Sequence, residues 1–265
     1  MNKIIKIIFL LRKTGFGNTL QPVIKKILVR RTSDYKKYYE LFNNKKGIEI
    51  GGPSNMFNKD NVMPIYSFIN SLDGVNFSAV TIWNGVLKEG EHYKYDGGTR
   101  VGRQYLCDAT DLNIIPSEKY DFVISCNNLE HIANPLKAIK EWLRIIKLGG
   151  FLLLVLPRKE SNFDHKRKTT ALEHLKDDYS RNIGEDDLSH LDEILKLHDL
   201  SMDTPAGTLQ QFKKRSVNNY DNRALHHHVF DMRLLKDIYD YFDIEVLLTD
   251  TIASDFIIVG QKNIP

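Results

Sequence analysis

The chain has 265 residues, of which 42% are hydrophobic and 27% charged, the balance of a folded globular protein and not of a disordered one. Sixteen Gly and eight Pro exclude collagen-like and low-complexity readings. Two Cys exclude both a disulfide scaffold and a Cys-rich zinc site, and as reduced thiols they suit the cytosol. The net charge of +3 is uneven: residues 1–46 carry 12 Lys/Arg against 2 Asp/Glu, which puts +10 on this arm and −7 on the rest.

Such a basic arm is either a solvated face or a dock for an anionic partner: a membrane surface, an acidic glycan or nucleic acid. The arm has no recognised nucleic-acid motif, so no nucleic-acid partner is expected. Its most apolar run, Ile4 to Leu11, is interrupted by Lys6 and ends at Arg12. That falls short of the ~20 residues of a membrane span and lacks a small-residue cleavage site. The expected localisation is cytoplasmic, with the arm packing on its own domain or lying peripherally on a membrane.

Val23, Ile24, Ile27 and Leu28 after Pro22, and Tyr35, Tyr38, Tyr39 and Phe42, keep helical spacing. The period then shortens. Strands are predicted at Gly47–Ile50, Leu72–Phe77, Gln104–Cys107 and Tyr120–Ser125. A helix follows with Asn134 as N-cap, Pro135 at its first position and Gly149-Gly150 as its stop. Phe151–Leu156, six apolar residues between Gly and Pro, reads as a parallel strand covered on both faces. Residues 158–230 are polar and helix-rich and hold seven of the nine His. A helix over Met232–Phe242 and strands at Ile244–Leu248 and Phe256–Gly260 close the chain. The expected fold is a doubly wound, Rossmann-like α/β fold. It has a mainly parallel seven-stranded sheet, N-terminal helices and a helical insertion after the fifth strand.

The turn Glu49-Ile50-Gly51-Gly52-Pro53-Ser54-Asn55 ends the first strand. A dinucleotide would want Gly at three spaced positions, and Pro53 also removes an N–H. The loop therefore argues against NAD. The stretch from Tyr120 to His131, then Asn134-Pro135-Leu136, Gly149-Gly150 and the apolar strand to Pro157, resembles the class I S-adenosylmethionine-dependent methyltransferases of the type 11 group. The resemblance covers residues 46–157 and, more weakly, 230–260. The basic helical arm over 1–46 and the insertion over 158–230 lie outside it; the expected methyltransferase domain spans 47–265, with 158–230 as a helical lid and acceptor insertion.

By that resemblance Glu49, Gly51, Gly52, Pro53 and Ser54 form the first cofactor motif, with Pro53 and Asn55 departing from its Gly pattern. Asn76, in Gly74-Val75-Asn76-Phe77-Ser78, replaces the acid that takes the ribose hydroxyls, and Asp73 is the substitute acid. Asp108 and Ala109 meet the adenine, and Asn127 and Leu129 sit beside the methionine part. The Glu-Ile-Gly-Gly-Pro-Ser loop with a His-rich insertion resembles variants associated with polysaccharide assembly, which implies a sugar or glycan hydroxyl as acceptor and glycan-assembly enzymes as partners.

Methyl transfer to a hydroxyl is an in-line displacement that needs alignment and a base. The candidates are His165, the run His226-His227-His228, His131, and Asp164 as base or as the group that orients a His. A divalent ion held by the His run and Asp164 is a less favoured alternative. Consecutive residues do not face one point, so at most two would bind. His174, His190 and His198 read as ordinary helical positions. Two other readings stay open: a small-metabolite, lipid or protein acceptor, and a non-catalytic binding module on the same fold.

Overall fold

The computed structural model describes residue 32, residues 34–81 and residues 85–264. The expected helix near Val23–Leu28 and the apolar run Ile4–Leu11 lie outside the described residues.

The strands are β1 (Lys46–Ile50), β2 (Ser71–Asn76), the short pair β3 (Val80–Thr81) and β4 (Gly85–Val86), β5 (Gly90–Tyr95), β6 (Arg100–Leu106), β7 (Tyr120–Cys126), β8 (Ile146–Pro157), β9 (Ile244–Thr251) and β10 (Asp255–Lys262). The helices are α1 (Tyr35–Phe42), α2 (Pro135–Ile145), α3 (Leu172–Ser180), α4 (Leu191–Leu197), α5 (Leu209–Val217), α6 (Asn219–Asn222) and α7 (Met232–Tyr241). The main sheet has the order β5-β6-β2-β1-β7-β8-β10-β9. The five strands from β6 to β8 run parallel. β5 lies antiparallel on β6, and β10 antiparallel on both β8 and β9.

The sheet therefore has eight strands where seven are expected. The eighth is β5, whose alternation buries Tyr93 and Tyr95 and leaves Lys94 in solvent. The expected helix stop also moves. Asn134 caps α2 as predicted, its side chain accepting from the Lys137 N–H, but the helix ends at Ile145 and β8 begins at once, Ile146 pairing with Tyr120. Gly149-Gly150 lie inside a bulge of β8. Gly149 has φ +71°, and a Cβ on Gly150 would fall 2.6 Å from the Asp121 carbonyl oxygen, so these glycines serve strand register.

Alternation splits the core in two. Leu152, Leu154 and Leu156 face α2 and α7, with Ile48, Val123 and Trp142. Phe151, Leu153 and Val155 face the other side, with Phe122, Ile124 and α1. There Phe42 meets Phe122 edge-on at 5.0 Å. Residues 158–231 hold α3 to α6 and a small separate core of Ile194, Ala206, Phe212 and Leu225. Among the described residues no helix is long and apolar enough to cross a membrane.

Candidate active site

A cavity of about 630 Å³ opens at the carboxyl ends of β1, β2, β6 and β7, where an open α/β sheet places its ligands. Gly51, Pro53 and Ser54 follow β1, Asn76 ends β2, Cys107, Asp108 and Ala109 follow β6, and Asn127, Asn128 and His131 follow β7; all line it. Gly51 has φ +84°, and a Cβ there would fall 2.5 Å from the Asn128 side chain, so the turn needs Gly. The Gly52–Pro53 peptide is cis. The Asn76 amide donates to the Gly52 carbonyl (3.1 Å), tying the ends of β1 and β2 together.

Glu49 is fully buried behind this turn and does not line the cavity. Its carboxylate accepts from the Ser54 N–H (3.0 Å) and from the hydroxyls of Tyr66 (2.5 Å) and Tyr93 (2.6 Å). Burial raises its pKa although all three donors pull it down. Its structural part here is to shape the loop that Gly51 to Ser54 present. Gly52 is packed against the same carboxylate, where a Cβ would fall 2.2 Å from Glu49 Cδ.

Asp73 is not the substitute acid. It lies early in β2, away from the carboxyl edge, and accepts from the Arg103 N–H (3.0 Å) and the Tyr120 hydroxyl (2.6 Å). Leu129 also leaves the cavity. A 3₁₀ turn over Leu129–His131 points it into the sheet core. Asp108 keeps one oxygen on Thr110 (2.8 Å to N, 2.7 Å to Oγ1) and pairs the other with Arg223 (3.1 Å). Arg223 also pairs with Glu185 (3.2 Å), and both line the cavity. No local motif marks Arg223 or Glu185: they come from the segment after β8 and meet Asp108 only in the folded chain.

The histidines separate. His165 is exposed, 2.9 Å from Asp199, and outside the cavity. In the run 226–228, His226 pairs with Asp164 (2.5 Å), His227 takes a hydrogen bond from Asn219 (3.0 Å), and His228 donates to the Ala133 carbonyl (3.1 Å). His227 and His228 are buried away from the cavity. Asp164 is buried between His226 and Arg167 (3.1 Å). Burial pushes its pKa up, but those two cations hold it at about 2, so it orients His226 and is too acidic to serve as a base. Burial pulls the His226 pKa down and Asp164 raises it above the usual His value.

His131 is the one predicted histidine at the cavity wall. Its Nδ1–H donates to the Leu225 carbonyl (3.1 Å). Its ring stands edge-on to His226, with centroids 4.5 Å apart. Burial first, and then the charge on His226, push its pKa well below the usual value, so the imidazole is neutral near pH 7. Glu130 beside it is buried, and burial raises its carboxyl to about 7.

Residues 68–154 match a family model described as a methyltransferase domain. Over that stretch, about a third of its length, the chain is similar to methyltransferase domains. Its fold is similar to a SAM-dependent methyltransferase from Aquifex aeolicus (11% identity, 86% of this chain and 89% of that one, TM-score 0.45). It is also similar to a possible histamine N-methyltransferase from Thermotoga maritima (15% identity, 94% and 96%, TM-score 0.41). A third is a putative S-adenosyl-L-methionine-dependent methyltransferase from Methanococcus maripaludis (14% identity, 100% and 96%, TM-score 0.41). No curated protein matches the chain.

Proposed function

We propose that this methyltransferase domain methylates a hydroxyl, on a sugar or glycan, with His131 as the base. The observation that carries it is a neutral imidazole at the wall of the cavity that the cofactor-type loops frame. Bound S-adenosylmethionine supplies an electrophilic methyl on a sulfonium. Gly51 to Ser54 would leave room for its amino-acid tail, Asn76 would take a ribose hydroxyl, and Asp108 and Ala109 would hold the adenine edge. Asp108 keeps capacity for a second hydrogen bond on the oxygen that Arg223 holds. Residues 158–230 cover the acceptor side as a lid, with Arg223 and Glu185 latching it over Asp108 and excluding water. Glu185 and Arg223 from this segment, with Asn61 and Ser254 from the body, give the cavity a polar lining, which suits an acceptor rich in hydroxyls. His131 would take the acceptor's hydroxyl proton as the oxygen–methyl bond forms and the sulfur–methyl bond breaks, with S-adenosylhomocysteine as the leaving group. Burial, and then the charge on His226 fixed by Asp164, keep it unprotonated beforehand.

The test is single-turnover methyl transfer with labelled cofactor and a panel of sugar, lipid, peptide and small-metabolite acceptors. His131→Gln is expected to lower kcat about 10²–10⁴-fold while cofactor affinity, read by calorimetry, stays within about twofold. Unchanged turnover would remove the base assignment. Transfer to a non-hydroxyl acceptor alone would replace the sugar reading. Cofactor binding without transfer to any acceptor would favour a binding module.

A further inference from the structure

A second histidine cluster lies outside the cavity, and none of the chemistry above uses it. His174 and Asp178 stand one turn apart on α3, His190 immediately precedes α4, and His228 lies on the segment before α7. One ligand atom from each lies within 4.8 Å of the others. We propose that His174, Asp178, His190 and His228 bind one zinc ion, which clasps the segment after β8 into a single unit.

Three observations agree. Four ligands at ~2.0–2.1 Å around a tetrahedral zinc stand about 3.3–3.4 Å from one another. Here His174 Nε2 is 3.1 Å from His190 Nε2 and 3.3 Å from Asp178 Oδ2, and His228 Nε2 is 3.6 Å from the same oxygen. The three imidazole rings are also mutually arranged as if radiating from a point, with centroids 4.9, 5.4 and 5.7 Å apart and interplanar angles of 62–75°. Finally, Asp178 Oδ2 and His228 Nδ1 are buried and make no hydrogen bond. Natural proteins seldom leave such atoms unsatisfied, and an ion at the centre removes the deficit at Asp178.

Imidazole and carboxylate donors in a compact four-ligand set suit zinc, and four protein ligands leave no open position, the mark of a structural site. His228 Nε2 now donates to Ala133, and ligation through that atom would shift the ring proton to Nδ1 and end that bond. The neighbouring bonds say what the ion would hold. The Asp178 carbonyl accepts from the capping residue Asn134 (3.0 Å). The His227 N–H donates to the Glu130 carbonyl (2.8 Å). The clasp therefore adjoins the turn that carries His131.

The full chain is stripped with chelator, dialysed against zinc chloride, and its metal measured by mass spectrometry. About one zinc per chain is expected. His190→Ala and Asp178→Asn are expected to bind it at least about tenfold more weakly, and His165→Ala, at the exposed histidine, to bind it fully. Cobalt loading of the unmutated chain is expected to give the visible absorption of a tetrahedral centre, a readout that does not depend on the variants folding. Either a chain without stoichiometric zinc or a cobalt spectrum of octahedral type would overturn the proposal, as would full zinc retention in His190→Ala.

Discussion

The sheet body and the segment over residues 158–231 bury their polar groups by different means. The body is held mainly by apolar packing and sets Glu49 and Asp73 in short networks of neutral hydrogen-bond donors. Glu49 is held by two tyrosine hydroxyls and one backbone N–H, and Asp73 by Tyr120 and a backbone N–H. All around them is aliphatic and aromatic packing on both faces. The later segment has only a small apolar core and joins its pieces by charge: Asp164 with Arg167 and His226, His198 and Arg215 with Asp203, Arg223 with Asp108 and Glu185. Apolar area is non-directional and tolerant, whereas a buried charge depends on one partner in one place. The body sets the fold. The segment sets a geometry that changes sharply when a single proton or partner is lost.

The comparison breaks most strongly at Arg167. Its guanidinium is buried and contacts Asp164, Glu193 and the carbonyls of His226 and His227. Arg167→Leu leaves Asp164 buried beside one cation only. A loss of about 3–5 kcal/mol is expected in urea unfolding, from the uncompensated charge. Leu154→Ala in the body removes a fully buried side chain at the centre of the sheet and should cost about 3 kcal/mol, from lost transfer energy and a cavity. The distinction is in pH. The Arg167 loss should shrink in acid as Asp164 becomes protonated, and the Leu154 loss should not change. Equal pH dependence in the two variants would erase the contrast.

Titration sharpens it further. The Glu130 carboxyl rises from 4.5 to about 7 because burial disfavours its charge. The folded chain therefore holds that proton more tightly than the unfolded chain. Its contribution is full below 4.5 and is lost as the pH climbs through about 7. His226, raised above 6.5 against the pull of burial by Asp164, loses its contribution in the same direction. Asp164 works oppositely. It is lowered from 3.8 to about 2, so its contribution is full above 3.8 and lost as the pH falls through 2. His131, His190, His198 and His228, whose pKa values burial lowers, act in the opposite direction over the same range, so the test is a difference: Glu130→Gln should gain melting temperature relative to the unmutated chain as the pH climbs from ~5 to ~8. An unchanged slope in Glu130→Gln would remove Glu130 as a titrating group.

Much of the body was legible because apolar period, caps and turn residues are local. Phe151–Leu156 and Tyr120–Ser125 fall within β8 and β7, and Asn134-Pro135 opens α2 as read. The misses in the body have local causes too. β5 alternates Tyr93 and Tyr95 with charged residues, a signal that three Gly-rich and polar neighbours obscured. Asp73 and Leu129 sit within three residues of cavity positions, yet Asp73 lies too far from the carboxyl end of β2 and a 3₁₀ turn rotates Leu129 into the core. The later segment was legible only in composition. Seven His in it announced chemistry, but which of them meet depends on contacts across 16 to 94 residues, as in His174 with His190 and His131 with Leu225. No window of sequence shows those.

The smallest expected effect tests whether the two regions meet as a latch. Arg223 has φ +52°, a backbone position that an Arg seldom takes. Its guanidinium stacks over Phe77 (5.2 Å to the ring centre) and reaches Asp108 at 3.1 Å and Glu185 at 3.2 Å. It thus joins the cavity floor, which belongs to the body, to the wall that the later segment provides. These pairs are partly exposed, and partly exposed pairs contribute little to stability. Arg223→Ala should therefore leave the unfolding midpoint almost unmoved. Its effect belongs in binding: freed of Arg223, Asp108 keeps its bond to Thr110, while the wall loses its tie. KM for the acceptor should rise about tenfold with kcat changed less than about threefold. Charge alone can be separated from reach by Arg223→Lys, which keeps the cation but not the planar fork that meets two carboxylates. Full rescue by Lys would mean that the latch is a matter of charge; no rescue would mean that the two regions are joined by geometry.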